Sequence, residues 1–131
     1  MPIFVLLLIS ALAGCTSTSQ ERQLANYLND SARGIVSKEL SGAARDAQVR
    51  ALRLLSDLGW SQSGQAKYSD FEVSDDSHFE FCLDVSGIYF TDKELKRVEL
   101  ERGEARLLMR AQTEQIAGVS KITELIEVGS C

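Results

Sequence analysis

The chain has 131 residues, 44% of them hydrophobic and 25% charged, and carries a formal net charge of −5. It is long enough for one small domain and too short for two. An acidic chain without a basic patch has nothing to track a phosphate backbone and nothing to attach it electrostatically to anionic lipid, so nucleic acid and polybasic membrane binding are excluded as expectations.

In chain order, the first feature is an apolar run, Ile3 to Ile9, whose character continues through Leu12 and Ala13; the first charged side chain is Glu21. A bilayer span needs about 20 apolar residues, so the stretch up to Cys15 reads as a secretory h-region ending in small residues. The end of the run, Leu12-Ala13-Gly14-Cys15, resembles the lipobox of bacterial lipoprotein precursors. The resemblance covers the first fifteen residues and implies cleavage before Cys15, which would carry a diacylglyceryl thioether and an N-terminal acyl chain. Small residues at 13 and 14 let the backbone enter a protease site, and acyl chains at about 0.8 kcal/mol per buried methylene give stable anchoring. Thr16, rather than Asp, follows the cysteine; within that class this implies the periplasmic face of the outer membrane. The expected organisation is a signal peptide over 1–14, a short lipidated tether over 15–18 and a single periplasmic domain over 19–131.

Thr18 and Glu21 have capping-box spacing, which predicts a first helix from about Ser19, with Leu24, Tyr27, Leu28 and Ile35 on its apolar stripe and Gly34 weakening it. A second helix is predicted from Ala44, Ala47, Ala51, Leu55 and Leu58, which share one face. Gly59 is placed to close it in the left-handed conformation, with Trp60 packing back.

From Lys67 to Phe90 the period changes to two. Phe71 and Val73 share a face of one strand; Phe79, Phe81, Leu83 and Val85 share a face of the next. A five-residue turn, Ser74 to His78, would pair Val73 with Phe79 and Phe71 with Phe81, and would set Glu72 opposite Glu80. Ile88 to Phe90 would continue the second strand past a bend at Gly87. Thr91-Asp92-Lys93-Glu94 has the form of another capping box, predicting a long helix to about Ala117 with Gly118 as its stop. The arginines at 97, 102, 106 and 110 would lie on its solvated face. Ile122 to Val128 is rich in β-branched residues and reads as a last strand. The expected fold is α+β, in the order α-α-β-β-α-β: a small, largely antiparallel sheet with helices on one face.

Of the three cysteines, Cys15 is assigned to lipid. Cys82 and Cys131 then form an even pair in an oxidising compartment and read as a disulfide. They lack C-x-x-C spacing, and His78 is the only histidine, so no zinc site is expected. His78 lies beside Asp75 and Asp76, but Ser74 and Ser77 read as turn formers rather than nucleophiles. No catalytic residue and no cofactor is expected.

The acidic residues Asp70, Glu72, Asp75, Asp76, Glu80 and Asp84 form the strongest charge feature. A calcium loop from Asp70 fails, because Asp75 stands where glycine is required and Phe81 where the bidentate glutamate is required. The residues remain an outward sheet face or a candidate docking face for a basic partner. Glu72 opposite Glu80 favours docking, since like charges directly opposite are destabilising. The expected role is a non-enzymatic, lipid-anchored binding or accessory subunit, in its class similar to pilotins and assembly factors of envelope machines. An inhibitor or exclusion factor, using a protruding Ser74 to His78 loop, and a small periplasmic hydrolase are the alternatives.

Overall fold

The computed structural model describes residues 18–101 and 103–131. The expected signal peptide over 1–14, the lipidation site Cys15 and all of the tether but Thr18 lie outside the described residues. The fold is α+β, with helices preceding strands: α1 (Ser19–Ala32), α2 (Gly42–Leu58), β1 (Ser61–Ser63), β2 (Lys67–Asp75), β3 (His78–Asp84), β4 (Tyr89–Thr91), β5 (Arg106–Ile116) and β6 (Val119–Ser130). A four-stranded antiparallel sheet runs β2-β3-β5-β6, and β1 pairs with β4 in a second, two-stranded sheet.

α1 begins where its cap dictates: the Thr18 hydroxyl accepts from the Glu21 amide at 3.1 Å, satisfying one of the helix's orphan donors. It ends before Gly34, which takes φ +68°, so Ile35 stands outside the helix and exposed. α2 closes as its sequence predicts. Gly59 adopts φ +70° and donates to the Ser56 carbonyl at 3.1 Å, while the Trp60 amide donates to the Leu55 carbonyl at 2.9 Å, the paired bonds of a Schellman stop.

Strand alternation puts Phe79, Phe81, Met109, Ala111 and Ile122 on one sheet face, where Leu24 and Leu28 of α1, Leu40 and Ala44 complete the core. The hairpin register is the one parity requires, with Val73 opposite Phe79 and Glu72 opposite Glu80. The five intervening residues form a bulge at Ser74, the ladder pair Asp75–His78 and a two-residue turn, Asp76-Ser77. A second bulge, with Asp70 at φ +54°, displaces Phe71 from the expected partner Phe81; its ring packs instead on Phe79, centroids 5.1 Å apart.

Two expectations are corrected. Ile88 to Phe90 does not prolong β3: Tyr89–Thr91 leaves the main sheet and pairs with Ser61–Ser63. The segment expected as a long helix to Ala117 is, among the described residues, an irregular stretch followed by β5; Arg102, expected on the solvated face of that helix, lies outside them. The apparent capping box is used differently: the Asp92 carboxylate accepts from the Glu94 and Lys96 amides at 2.9 and 3.0 Å, forming a turn in which Leu95 takes φ +63°. Leu107, Met109, Ala111 and Thr113 then alternate inward, the first three paired on both sides by β3 and β6 and Thr113 by β6. Two ladders and a buried face outweigh the helix propensity of a Glu-, Leu- and Arg-rich segment, which is worth tenths of a kcal/mol per residue. Gly118 is left-handed as expected, at φ +80°, but in the β5–β6 turn.

The disulfide Cys82–Cys131 is present, with Cα atoms 6.1 Å apart. It straps the chain's last residue to β3 across the intervening β5 and buries Cys82 on the face away from the helices.

Candidate functional site

The buried side chains of α2 lie in its first half. Ala44 and Gln48 are buried, and the preceding linker adds a parallel bridge from Leu40 to Ile122 at the edge of β6. Along the rest of the helix the side facing the domain carries Ala47 and Ala51, whose side chains end at Cβ, with Leu52 and Leu55 beside them. Ala47 and Ala51 are exposed and Leu55 half-buried, although their helical spacing matches that of Ala44.

The unfilled space is a groove of about 470 Å³, within the range that holds small ligands or side chains of a partner. Ala47, Ala51 and Leu55 form one wall, Leu83, Val85 and Leu125 the other, and Tyr27 and Leu28 of α1 the base. The α2 residues share one face as their spacing predicts, and the groove lies where the short side chains of Ala47 and Ala51 on that face leave space beside the sheet. Polar groups in the lining come from Ser31, Gln48, Gln62 and Glu124. Gln48 is already committed: its carbonyl oxygen accepts from the Ser37 amide at 2.8 Å and its NH₂ donates to the Ile35 carbonyl and Ser31 hydroxyl at 3.0 and 3.1 Å. It fixes the connection between α1 and α2.

The groove has a definite position along the domain. β3 runs from His78 at the Asp76-Ser77 turn to Asp84, and the groove is lined by Leu83 near the end away from that turn and by Val85 just beyond it. α1 starts at the turn end, where Gln20 donates to the Asp76 carbonyl at 3.2 Å, and reaches the groove end, where Asn29 accepts from Gln65 at 3.1 Å. The groove therefore opens at the end of the domain opposite to the one at which the chain enters.

The acidic residues do not act as one cluster. Glu72 and Glu80 are directly opposed, but on Glu80's other side stands Arg110 of β5, bonded to its carboxylate. Asp84 lies in register between Lys67 and Arg106. Hydrogen bonds from Ser86 hold its carboxyl below the ordinary value, with Arg106 and Lys67 adding to the shift. Asp70 sits in the β2 bulge, and Asp75 and Asp76 at the hairpin turn. Arg106 and Arg110, expected on a helix, are what neutralise this face. Among the described residues no group of His, Cys, Asp and Glu has the arrangement to hold a metal ion.

At the hairpin turn His78, Asp75 and Ser77 come together. His78 Nδ1 lies 2.9 Å from Asp75 Oδ1 and 3.2 Å from Ser77 Oγ. A relay from serine to base to acid uses both imidazole nitrogens; here both neighbours meet the same one. An ionised carboxylate only accepts, so Nδ1 donates to Asp75, which also receives the Ser77 amide at 2.8 Å. The arrangement closes a turn, and it lowers the Asp75 pKa, chiefly through the His78 bond. The segment is not a protruding loop: β2 and β3 pair up to Asp75 and His78, and Gln20 of α1 holds its backbone.

The chain matches no known protein-family model, no curated protein and no solved structure.

Proposed function

We propose that the protein is a lipid-anchored component of the bacterial cell envelope, held through Cys15 at the periplasmic face of the outer membrane, and that it binds an apolar element of another envelope protein rather than performing covalent chemistry. The observation that carries this reading is the groove between α2 and the sheet. A helix that leaves Ala47, Ala51 and part of Leu55 facing open space forgoes burial at about 25 cal/mol per Å² of apolar surface, a cost that a partner's apolar side chains would offset. The groove's place at the end opposite chain entry suits the role, since a domain tethered at Ser19 would present it to the periplasm. An accessory or assembly subunit of an envelope machine fits this arrangement best.

The test has two parts. The intact mass of the membrane-extracted chain, taken without reductant, should equal the chain from Cys15 plus lipid, less two hydrogens for the disulfide. A photo-crosslinking residue at Ala51 should then give a discrete adduct with an envelope protein, abolished by Leu55→Glu in a domain that still melts cooperatively. Adducts formed from Glu72 and not from Ala51 would move the docking surface to the acidic face and overturn the groove.

A further inference from the structure

The two turns at the chain-entry end differ in chemistry. The β2–β3 turn is polar, Asp76-Ser77; the β5–β6 turn is Ile116-Ala117-Gly118-Val119, without a polar side chain. Ile116 is 41% and Val119 54% exposed. Ala117 and Gly118 both take positive φ, 51° and 80°. A two-residue hairpin turn of this kind favours asparagine or aspartate at its first position, because they tolerate left-handed backbone and are solvated. Alanine there accepts the strain and leaves the tip apolar. β5 also runs past the shorter hairpin: His78 pairs with Gln112, and four further residues lead to Ile116, a projection of about 13 Å at 3.3 Å per residue.

This tip stands beside the start of α1. Gln23 donates to the Ser120 carbonyl at 2.8 Å, and Ser19 and Arg22 share a surface depression with Val119 and Ser120. Only Thr16, Ser17 and Thr18 separate Cys15 from Ser19, so Cys15 lies within about 14 Å of α1 at about 3.6 Å per step.

We infer that the Ile116–Val119 tip is a second membrane contact, which dips into the lipid interface beside the acylated Cys15 and sets the orientation of the domain. The inference rests on the reading of Cys15 as lipidated, which supplies the occupant: a tether this short brings the bilayer to the end of the domain that carries the tip. Tethering makes insertion intramolecular, so a contact too weak to recruit a free protein suffices once the anchor is in place. The projection of β5 and β6 keeps Asp75 and Asp76 of the shorter hairpin back from the lipid headgroups. With the tip inserted, the groove faces away from the membrane.

The test uses the full chain, processed in a Gram-negative host and reconstituted into phosphatidylethanolamine–phosphatidylglycerol vesicles with brominated acyl chains. The indole introduced by Val119→Trp, in a Trp60→Phe background, should lose much of its fluorescence relative to unbrominated vesicles, while native Trp60, at the opposite end, should lose none. An unquenched indole at position 119, in protein whose mass includes the lipid, would overturn the inference and leave the anchor standing. A mass without lipid would remove the anchor and the inference together. A blue shift at position 119 that grows with protein density and ignores bromination would assign the tip to a second copy of the chain. As a further check, lipidated Val119→Ser should place a reporter dye at the groove at a wider spread of heights above the bilayer than the parent chain; an unchanged spread would also count against an orienting contact.

Discussion

The guanidinium of Arg110 on β5 meets the Glu80 carboxylate on β3 with Nε 2.9 Å and Nη2 2.8 Å from the same Oε1. On the other side of Glu80, in register, stands Glu72. One cation therefore faces a row of two acids across three strands, and the like-charge pair is tolerated because Arg110 is the third member.

Arg110→Ala should expose that repulsion. The pair is half-exposed, 49% and 29% for the two side chains, so its own contribution is small, about 0.2–1 kcal/mol. The loss should be largest at low salt and should shrink as screening increases. Adding Glu72→Gln to Arg110→Ala should recover part of it. A double-mutant cycle by urea denaturation measures both effects; additivity of the two substitutions would show that the three residues do not act together.

Gln48 should matter more than its surface neighbours on α2. Gln48→Leu keeps the volume but strands the Ser37 amide and the Ile35 carbonyl, both of which it now satisfies. A buried group left without its partner costs about 1–3 kcal/mol. Arg50→Ala, one turn-half away on the exposed side, should stay within about 0.5 kcal/mol. Equal midpoints for the two variants would show that the network is dispensable.

The Cys82–Cys131 bridge closes a separation of 49 residues, for which chain entropy gives a stabilisation of about 4 kcal/mol. Cys131→Ala, or reductant on the native chain, should lower the denaturation midpoint accordingly. The loss should be accompanied by faster amide exchange at the end of β6, because the backbone bond that remains to Cys131, to the Arg106 carbonyl, is long at 3.4 Å.

Local signals survived folding where nothing competed with them. Thr18 caps its helix, Gly59 closes the next, and the phenylalanine parity sets the hairpin register, because each of these is decided within a few residues. The disulfide was legible from the even pair of cysteines that the expected lipidation of Cys15 leaves. The region from Thr91 to Ala117 was not, because Leu108 and Met109 suit a helical stripe while Leu107, Met109 and Ala111 suit a strand, and only the presence of β3 on one side and β6 on the other decides between them. The same error hid the nature of the acidic face: arginines assigned to a helix could not be seen as neighbours of Glu80 and Asp84. The groove was hidden for a different reason. Spacing along α2 shows which residues share a face, but not whether alanine side chains reach what that face looks at.

The hairpin turn supplies a pH dependence with a definite sign. The Asp75 carboxyl is held below its ordinary value of 3.8, first by the His78 bond and then by the Ser77 amide. A carboxyl whose pKa is lower in the folded than in the unfolded chain stabilises the fold above the unfolded value, and that contribution disappears as the pH falls through the folded value. Asp75 should therefore contribute nothing to a change in stability between pH 5 and 7 and should contribute to the acid limb below 3.8. His78→Ala should move the Asp75 pKa back toward 3.8 without abolishing the shift, because the Ser77 amide still donates at 2.8 Å. Carboxyl-carbon NMR titration of Asp75 in the two proteins measures this directly. An Asp75 curve unchanged by His78→Ala would assign the shift to the backbone turn alone and reduce His78 to a bystander.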